Sequence, residues 1–321
     1  MKFGVISTAS IGTNAVIPAI KEAGHEVTAL ASRNESRAAT VAEQLDIQHT
    51  YGTYDGLLED DEIEAVYNPL PNALHDEWTK RAADHGLHVL CEKPLAVNAA
   101  EAREMSAYCD ECGVTLMEAF MYRYHPRTQR AVEIARKLDI RSFEASFRFS
   151  LDDQEDVRLD PNLAGGCLMD VGCYTVNAAR LFLGEPQRVY ATATDTMNSG
   201  VETELTTILE YEDGVTATLS SGFTTAGAER YRIEATSGWL EARDAFVPSK
   251  DGETELTYRI DDRHDVERFD PTNQYALEID HFVESIKTGR PPMTDATTAI
   301  RTMQIIDAID ESVRERKPLS L

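Results

Sequence analysis

The sequence predicts an α/β protein with a parallel sheet first and, after it, a mostly antiparallel sheet. Three observations carry this. Over the first 121 residues, short apolar runs alternate with helical patterns, which is the signature of βαβ units. Beyond Met121 the runs switch to two-residue alternation separated by tight-turn signals such as Glu212-Asp213-Gly214. The 321 residues also exceed one typical domain and suit two, placed at 1–121 and 122–321.

The elements follow in order. Phe3 to Ser7 reads as a strand, and Ile11 to Ala23 as a helix stopped at Gly24. His25 to Ser32 and Glu35 to Leu45 form the next strand and helix. Ala65 to Tyr67 is a strand, and Leu74 to His85 a helix ended by Gly86. The strand His88–Cys91, the helix Ala99 to Cys112 and the strand Val114 to Glu118 complete the first domain. A helix over Arg127 to Leu138 leads into the alternating run Phe143–Phe149, and a helix spans Leu168 to Leu183. Val189–Thr196, Thr203–Tyr211, Val215–Phe223 and Tyr231–Thr236 alternate as strands. Two closing helices, Tyr275 to Lys287 and Ala296 to Arg316, are expected to return to the first domain.

The formal net charge is −25, and only eight of the 31 basic residues are lysines. Acidic residues are spread along the chain, as in Glu59-Asp60-Asp61-Glu62 and Asp152-Asp153-Gln154-Glu155-Asp156. A solvated acidic surface poor in lysine suits a salt-rich cytoplasm, where salt screens the self-repulsion, so a halophilic source is expected. The same charge excludes nucleic acid and anionic membranes as partners. No run approaches the roughly twenty apolar residues of a membrane span. The start Met1–Ile6 reads as a strand, not a leader. The five cysteines form no spaced framework, which fits a reducing, cytoplasmic setting. Cys109-x-x-Cys112 lies within a helical pattern with no second pair, so no metal site is expected.

The turn after the first strand reads Gly4-Val-Ile-Ser7-Thr8-Ala9-Ser-Ile11-Gly12. A dinucleotide fingerprint would place glycines where Ser7 and Ala9 stand. Small residues there still let the backbone approach a pyrophosphate at a helix start. The second strand ends in Ala31-Ser32-Arg33-Asn34, without the acidic residue that grips a ribose 2′-hydroxyl. A serine and a planar guanidinium suit a 2′-phosphate, which favours NADP over NAD.

The stretch Gly86-Leu-His-Val-Leu-Cys-Glu92-Lys93-Pro94-Leu95 delivers a charge pair and a proline from a buried strand. Proline stops the strand, and Lys93 stands at its carboxyl end, where open α/β sheets bind ligands. Tyr67-Asn-Pro-Leu70-Pro71-Asn72-Ala-Leu-His75 follows the preceding strand, and its prolines hold the loop extended. Asn72 caps the next helix or reaches inward. Glu118-Ala-Phe-Met-Tyr-Arg123-Tyr-His-Pro126 follows the strand after the lysine. Gly165-Gly166-Cys-Leu-Met-Asp170-Val-Gly-Cys-Tyr174 opens a helix in which Asp170 and Tyr174, four apart, share a face. Tyrosine works as an acid–base group only where a cation favours its phenolate. Lys93 is the candidate, with Asp170 to orient the lysine or a substrate hydroxyl.

These segments together resemble the Gfo/Idh/MocA oxidoreductases over nearly the whole chain. Within that family the chain is most similar to the branch of NADP-dependent D-xylose dehydrogenases, glucose–fructose oxidoreductases and dimeric dihydrodiol dehydrogenases. The resemblance implies an N-terminal Rossmann domain and a C-terminal α/β domain built on a large, mostly antiparallel open sheet, whose face joins subunits into a homodimer or homotetramer. It implies Lys93, Tyr174 and Asp170 as catalytic residues, with Lys93, Arg123, Asp170 and Tyr174 touching substrate. It places Ser7, Thr8, Ala9, Ile11, Gly12, Ser32, Arg33, Leu70, Pro71, Asn72, His75, Glu92 and Lys93 against the cofactor. Asn72, His75, Glu92 and Arg123 would line the nicotinamide and substrate pocket. The function expected is oxidation of an aldose at C1 to a lactone. Reduction of a sugar-derived carbonyl, oxidation of a trans-dihydrodiol and a non-enzymatic NADP-binding sensor are the other readings. The missing export signal sets the chain apart from periplasmic relatives with a tightly held cofactor.

Overall fold

A computed structural model describes residues 1–321. They form two units. The first comprises Met1–Met121 and Asn273–Ile300, the second Tyr122–Thr272 and Arg301–Leu321.

The first unit is built on six parallel strands: β1 (Lys2–Ile6), β2 (Glu26–Ala31), β3 (His49–Tyr51), β4 (Ala65–Asn68), β5 (His88–Glu92) and β6 (Leu116–Ala119). Their spatial order is β3-β2-β1-β4-β5-β6. Strand order reverses on either side of β1, which pairs with both β2 and β4. That reversal opens the crevice at strand carboxyl ends where such sheets bind dinucleotides. Phe3, Val5, Ile6, Val66, Tyr67, Val89 and Leu90 are fully buried. A parallel sheet needs apolar side chains on both faces because its crossovers lie on both.

A π-helical stretch, Gly12–Val16, follows β1 and runs into α1 (Ile17–Glu22). α2 (Glu35–Leu45) is capped by Asn34, whose Oδ1 accepts from Arg37 N at 3.0 Å. The short α3 (Tyr54–Leu58) comes next, then α4 (His75–Asp84). α5 (Ala99–Cys112) is capped by Asn98 through Glu101 N at 2.9 Å. Cys109 packs in the core of α5 and Cys112 faces solvent. β3 and α3 are absent from the sequence reading, since a three-residue polar strand shows no alternation.

The second unit opens with α6 (Pro126–Ala135), then the long strand β7 (Ile140–Ser150). A π-helical stretch, Leu168–Gly172, leads into α7 (Cys173–Leu183). There follow β8 (Arg188–Thr194), β9 (Glu204–Glu210), β10 (Thr216–Gly222), β11 (Thr224–Ala235), β12 (Gly238–Arg243), β13 (Thr254–Ile260) and β14 (Arg263–Phe269). After α8 (Gln274–Thr288) and α9 (Ala296–Glu315), β15 (Leu319–Ser320) closes the edge. The nine strands lie in the order β14-β13-β12-β11-β7-β10-β9-β8-β15. All neighbours are antiparallel except β10 and β7. α7 covers one face, over Phe143, Ala145, Ala217 and Leu219. Burying a side chain the size of Phe143 or Leu219 contributes about 1.5–3 kcal/mol. The sequence reading missed β12 to β14, whose charged residues alternate with few large apolar ones. A charged edge strand such as β14 discourages pairing with other chains. α8 belongs to the first unit, and α9 is divided between the two.

Candidate active site

In the first unit the turn after β1 is bent at Ser7, whose φ is +110°. Ser7 N donates to Val5 O at 3.2 Å and Ala31 O at 3.1 Å, which pins the turn between β1 and β2. Ser7 Oγ accepts from Ala9 N at 3.2 Å. Gly12 lies against β1 and β4: a Cβ there would stand 3.5 Å from the Tyr67 ring. A methyl there would make ordinary van der Waals contact, so the space admits a small residue at this helix–strand approach. Thr8 and Ser32 are buried, Ile11 is half-buried, and Arg33 is exposed just beyond β2. Ser32 Oγ accepts from Asn34 N at 3.2 Å, so its hydroxyl proton stays available.

Arg37 joins this group, unforeseen from the sequence. Its Nη2 donates to Thr8 O at 3.2 Å, which brings a second guanidinium to the turn. Its place one helical turn beyond Arg33 was the available signal. A serine hydroxyl, two guanidiniums and no carboxylate at the end of β2 fit a dianionic phosphate on the ribose.

The loop after β4 is tied to the segment carrying Lys93. Asn68 Oδ1 accepts from Leu70 N at 3.3 Å. Pro71 precedes a short 3₁₀ turn, Asn72–Leu74, and its carbonyl accepts from Leu74 N at 2.8 Å. Asn72 does not cap α4; the cap position is Leu74, with no side-chain bond. His75 is completely buried, with one ring nitrogen 2.8 Å from Leu70 O and the other 3.0 Å from Pro94 O. Burial pushes its pKa down to about 4, against the pull of the two carbonyls. A neutral imidazole carries one N–H, so His75 donates to one of these two carbonyls and packs, with no exposed surface, between the loop and Pro94.

Lys93 follows β5 and is joined to Pro94 by a cis peptide bond. Its neighbour Glu92 accepts from Tyr67 Oη at 2.6 Å on one oxygen and from Lys93 N at 3.2 Å on the other. Glu118, fully buried, accepts from Leu95 N at 2.9 Å and holds the far end of this segment. Within charge range of Glu92, Glu278 of α8 is buried with Oε1 making no hydrogen bond. Its pKa is well above the carboxylate range, because of burial first and the nearby Glu92 charge second. The sequence offered no signal for this second carboxyl.

In the second unit, Arg123 sits in the 3₁₀ turn Met121–Tyr124, and its buried Nε makes no hydrogen bond. Tyr174 is 4% exposed in the first turn of α7. Its ring is packed by Phe147, Phe246 and Tyr122, with centroids 5.2, 5.5 and 5.9 Å away. Tyr122 is itself anchored, donating from Oη to Asn177 Oδ1 at 2.6 Å. Such a cage leaves the phenol ring one orientation. Asp170 lies within the π-helical stretch, so the α-helical spacing that placed it on the Tyr174 face does not apply there. One of its oxygens, Oδ2, accepts from Arg158 Nε at 2.9 Å.

The helix after β1 and the helix that carries Tyr174 each begin with a π-helical stretch, a feature often found at functional sites. The arrangement can hold a dinucleotide phosphate in the first unit. The second unit offers a fixed phenol, Tyr174, and a carboxylate, Asp170, in the π-helical stretch that leads into its helix.

The profile of an oxidoreductase family with an NAD-binding Rossmann fold matches residues 1–120, and the GFO/IDH/MocA C-terminal domain profile matches residues 139–241. D-xylose 1-dehydrogenase (NADP(+)) 2 of Haloferax volcanii is 50% identical over 315 residues, covering 97% of each chain. A crystal structure of a 3-ketoreductase from Actinomadura kijaniata in complex with NADP and TDP-benzene superposes with a TM-score of 0.92. Its identity is 32%, with 97% of both chains covered. An aldose-aldose oxidoreductase from Caulobacter crescentus, complexed with glycerol, also reaches 0.92. It is 30% identical and covers 100% of this chain and 99% of its own.

Proposed function

The chain belongs to the GFO/IDH/MocA oxidoreductase family, and on that premise we propose that it is an NADP-dependent aldose dehydrogenase, oxidising a xylose- or glucose-like sugar at C1 to a lactone. The observation that carries this is the 50% identity, over 97% of both chains, to a protein named D-xylose 1-dehydrogenase (NADP(+)) 2. Ser32, Arg33 and Arg37 around Thr8 support NADP over NAD.

NADP, when bound, supplies the hydride acceptor. Ser7, Thr8, Ala9, Ile11 and Gly12 would cradle its phosphates, Ser32 and Arg33 its 2′-phosphate. Leu70, Pro71, Asn72, Glu92 and Lys93 would flank its nicotinamide end, with His75 holding their loop. Tyr174 takes the proton of the sugar hydroxyl, and the Lys93 ammonium favours the phenolate. Asp170 and Arg123 hold sugar hydroxyls.

Carbonyl reduction is the second reading, supported by the 32% identical 3-ketoreductase. A panel of aldoses, ketosugars and cyclic diols, with NADP against NAD and read at the NADPH absorbance band, decides between them. Fast NADP reduction by an aldose fits the first reading. Turnover confined to carbonyl reduction or to a diol replaces it. NADP binding without any turnover indicates a sensor.

The subunit is proposed to self-associate through the uncovered face of its large sheet. There Tyr190 and Ile208 stand opposite each other in register, both 39% exposed. A monomer by light scattering would reject this. A cytoplasmic, halophilic setting is proposed from the −25 charge and from the relative in a halophile. Full stability in dilute buffer would reject the halophilic part.

A further inference from the structure

Arg158 lies in a turn built to hold it in place. The 3₁₀ turn Val157–Leu159 is capped by Asp156, whose Oδ1 accepts from Arg158 N at 2.9 Å. The guanidinium spans two carboxylates. Nε donates to Asp170 Oδ2 at 2.9 Å, and Nη1 lies 3.2 Å from each oxygen of Asp156. The backbone is locked as well. Arg158 O accepts from Gly166 N at 2.8 Å, and Asp160 O from Gly165 N at 3.0 Å. A Cβ on Gly165 would come within 2.4 Å of Arg158 O. Gly166 has φ +111°, and a Cβ there would stand 2.3 Å from Glu202 Oε1. That oxygen already accepts from Leu168 N at 2.9 Å. Asp170 N in turn donates to Gly166 O at 3.1 Å. Both ends of the Arg158–Asp170 pair are therefore fixed by one glycine turn.

An exposed ion pair contributes little when two long side chains must be ordered to make it. Here the ordering belongs to the backbone turn, and different nitrogens of the guanidinium meet the two carboxylates. Arg158 is 42% exposed and Asp170 18%, so the guanidinium reaches from the surface to a largely buried carboxylate. Its position makes sense as a setting for Asp170.

We propose that Arg158 is a positioning residue: it aims the Asp170 carboxylate and keeps it ionised for binding a sugar hydroxyl. This rests on the reading of Asp170 as a substrate residue. Lysine would replace it only in part, because it keeps the charge but one ammonium on a flexible stem cannot span Asp156 and Asp170 in fixed orientation.

The test compares Arg158→Gln, Arg158→Lys, Asp170→Asn and the double variant Arg158→Gln/Asp170→Asn. Turnover and KM are measured across pH on the aldose the wild type oxidises, with NADP affinity and melting temperature as controls. Arg158→Gln is expected to lower kcat/KM by roughly tenfold or more, to move its acid limb to higher pH, and to leave NADP affinity unchanged. Arg158→Lys should fall between it and wild type. The double variant should be no worse than Asp170→Asn alone, because Arg158 acts through Asp170. An unmoved acid limb in both Arg158 variants, or losses that multiply in the double variant, would overturn the proposal. If Asp170→Asn alone keeps wild-type kinetics, the reading of Asp170 fails, whatever Arg158 does.

Discussion

Tyr67 donates to Glu92 across neighbouring parallel strands, oxygen to oxygen at 2.6 Å, and ties the side chain beside Lys93 to the core of the sheet. The phenol is fully buried, and its pKa is raised by burial and by the Glu92 charge. A short hydrogen bond to a carboxylate is among the stronger kinds.

Tyr67→Phe removes that donor and keeps the ring. The expected loss is about 1.5–3 kcal/mol of stability, read from denaturant melting in molar salt. Turnover should fall as well, because Glu92 also accepts from Lys93 N. An unchanged midpoint would show that the bond contributes nothing net.

Glu278→Gln should stabilise the protein at neutral pH. The folded-state pKa of Glu278 lies well above its ordinary 4.5, so its contribution is complete below that value and is lost as pH rises through the folded pKa. Glutamine keeps the shape and removes the titration. The variant should melt higher than wild type above about pH 5, with the gap closing in acid. A lower melting temperature at neutral pH would mean that the charge is welcome there.

Gly165→Ala should damage the turn that presents Arg158. Its Cβ would meet two backbone carbonyls, at 2.4 and 2.9 Å, and backbone cannot swing aside as a side chain can. The expected cost is about 1–3 kcal/mol, with kcat reduced and NADP affinity kept. Fluorescence titration of NADP beside steady-state kinetics checks the split.

Arg33→Ala and Arg37→Ala should each weaken NADP binding roughly tenfold to a hundredfold and leave NAD binding nearly unchanged. An equal loss for both cofactors would place the guanidiniums on the shared pyrophosphate, not on the 2′-phosphate.

Much of the fold was legible because local signals agreed with the long-range structure. α2 and α5 have the bounds expected from the sequence, since Asn34 and Asn98 cap their starts and left-handed Asp46 and Gly113 end them. The βαβ alternation was enough for the parallel sheet. β3 and β12–β14 were not legible: three residues carry no period, and strands such as Arg263–Phe269 are mostly charged. At the candidate site, Lys93, Asp170 and Tyr174 stood out as residue types at element ends. The supports did not. Glu278 approaches Glu92 only through the return of α8. Arg158 meets Asp170 only because Gly165 and Gly166 let two backbones touch. The π-helical stretches also escaped, as nothing in their residue pattern departs from an α-helix.

The most direct measurement is turnover of Lys93→Met and Tyr174→Phe on the preferred aldose, with NADP affinity determined in parallel. Each variant is predicted to lose roughly 10²–10⁴-fold in kcat while NADP still binds. Near-wild-type turnover in both would contradict the assignment of proton transfer to this lysine and this phenol.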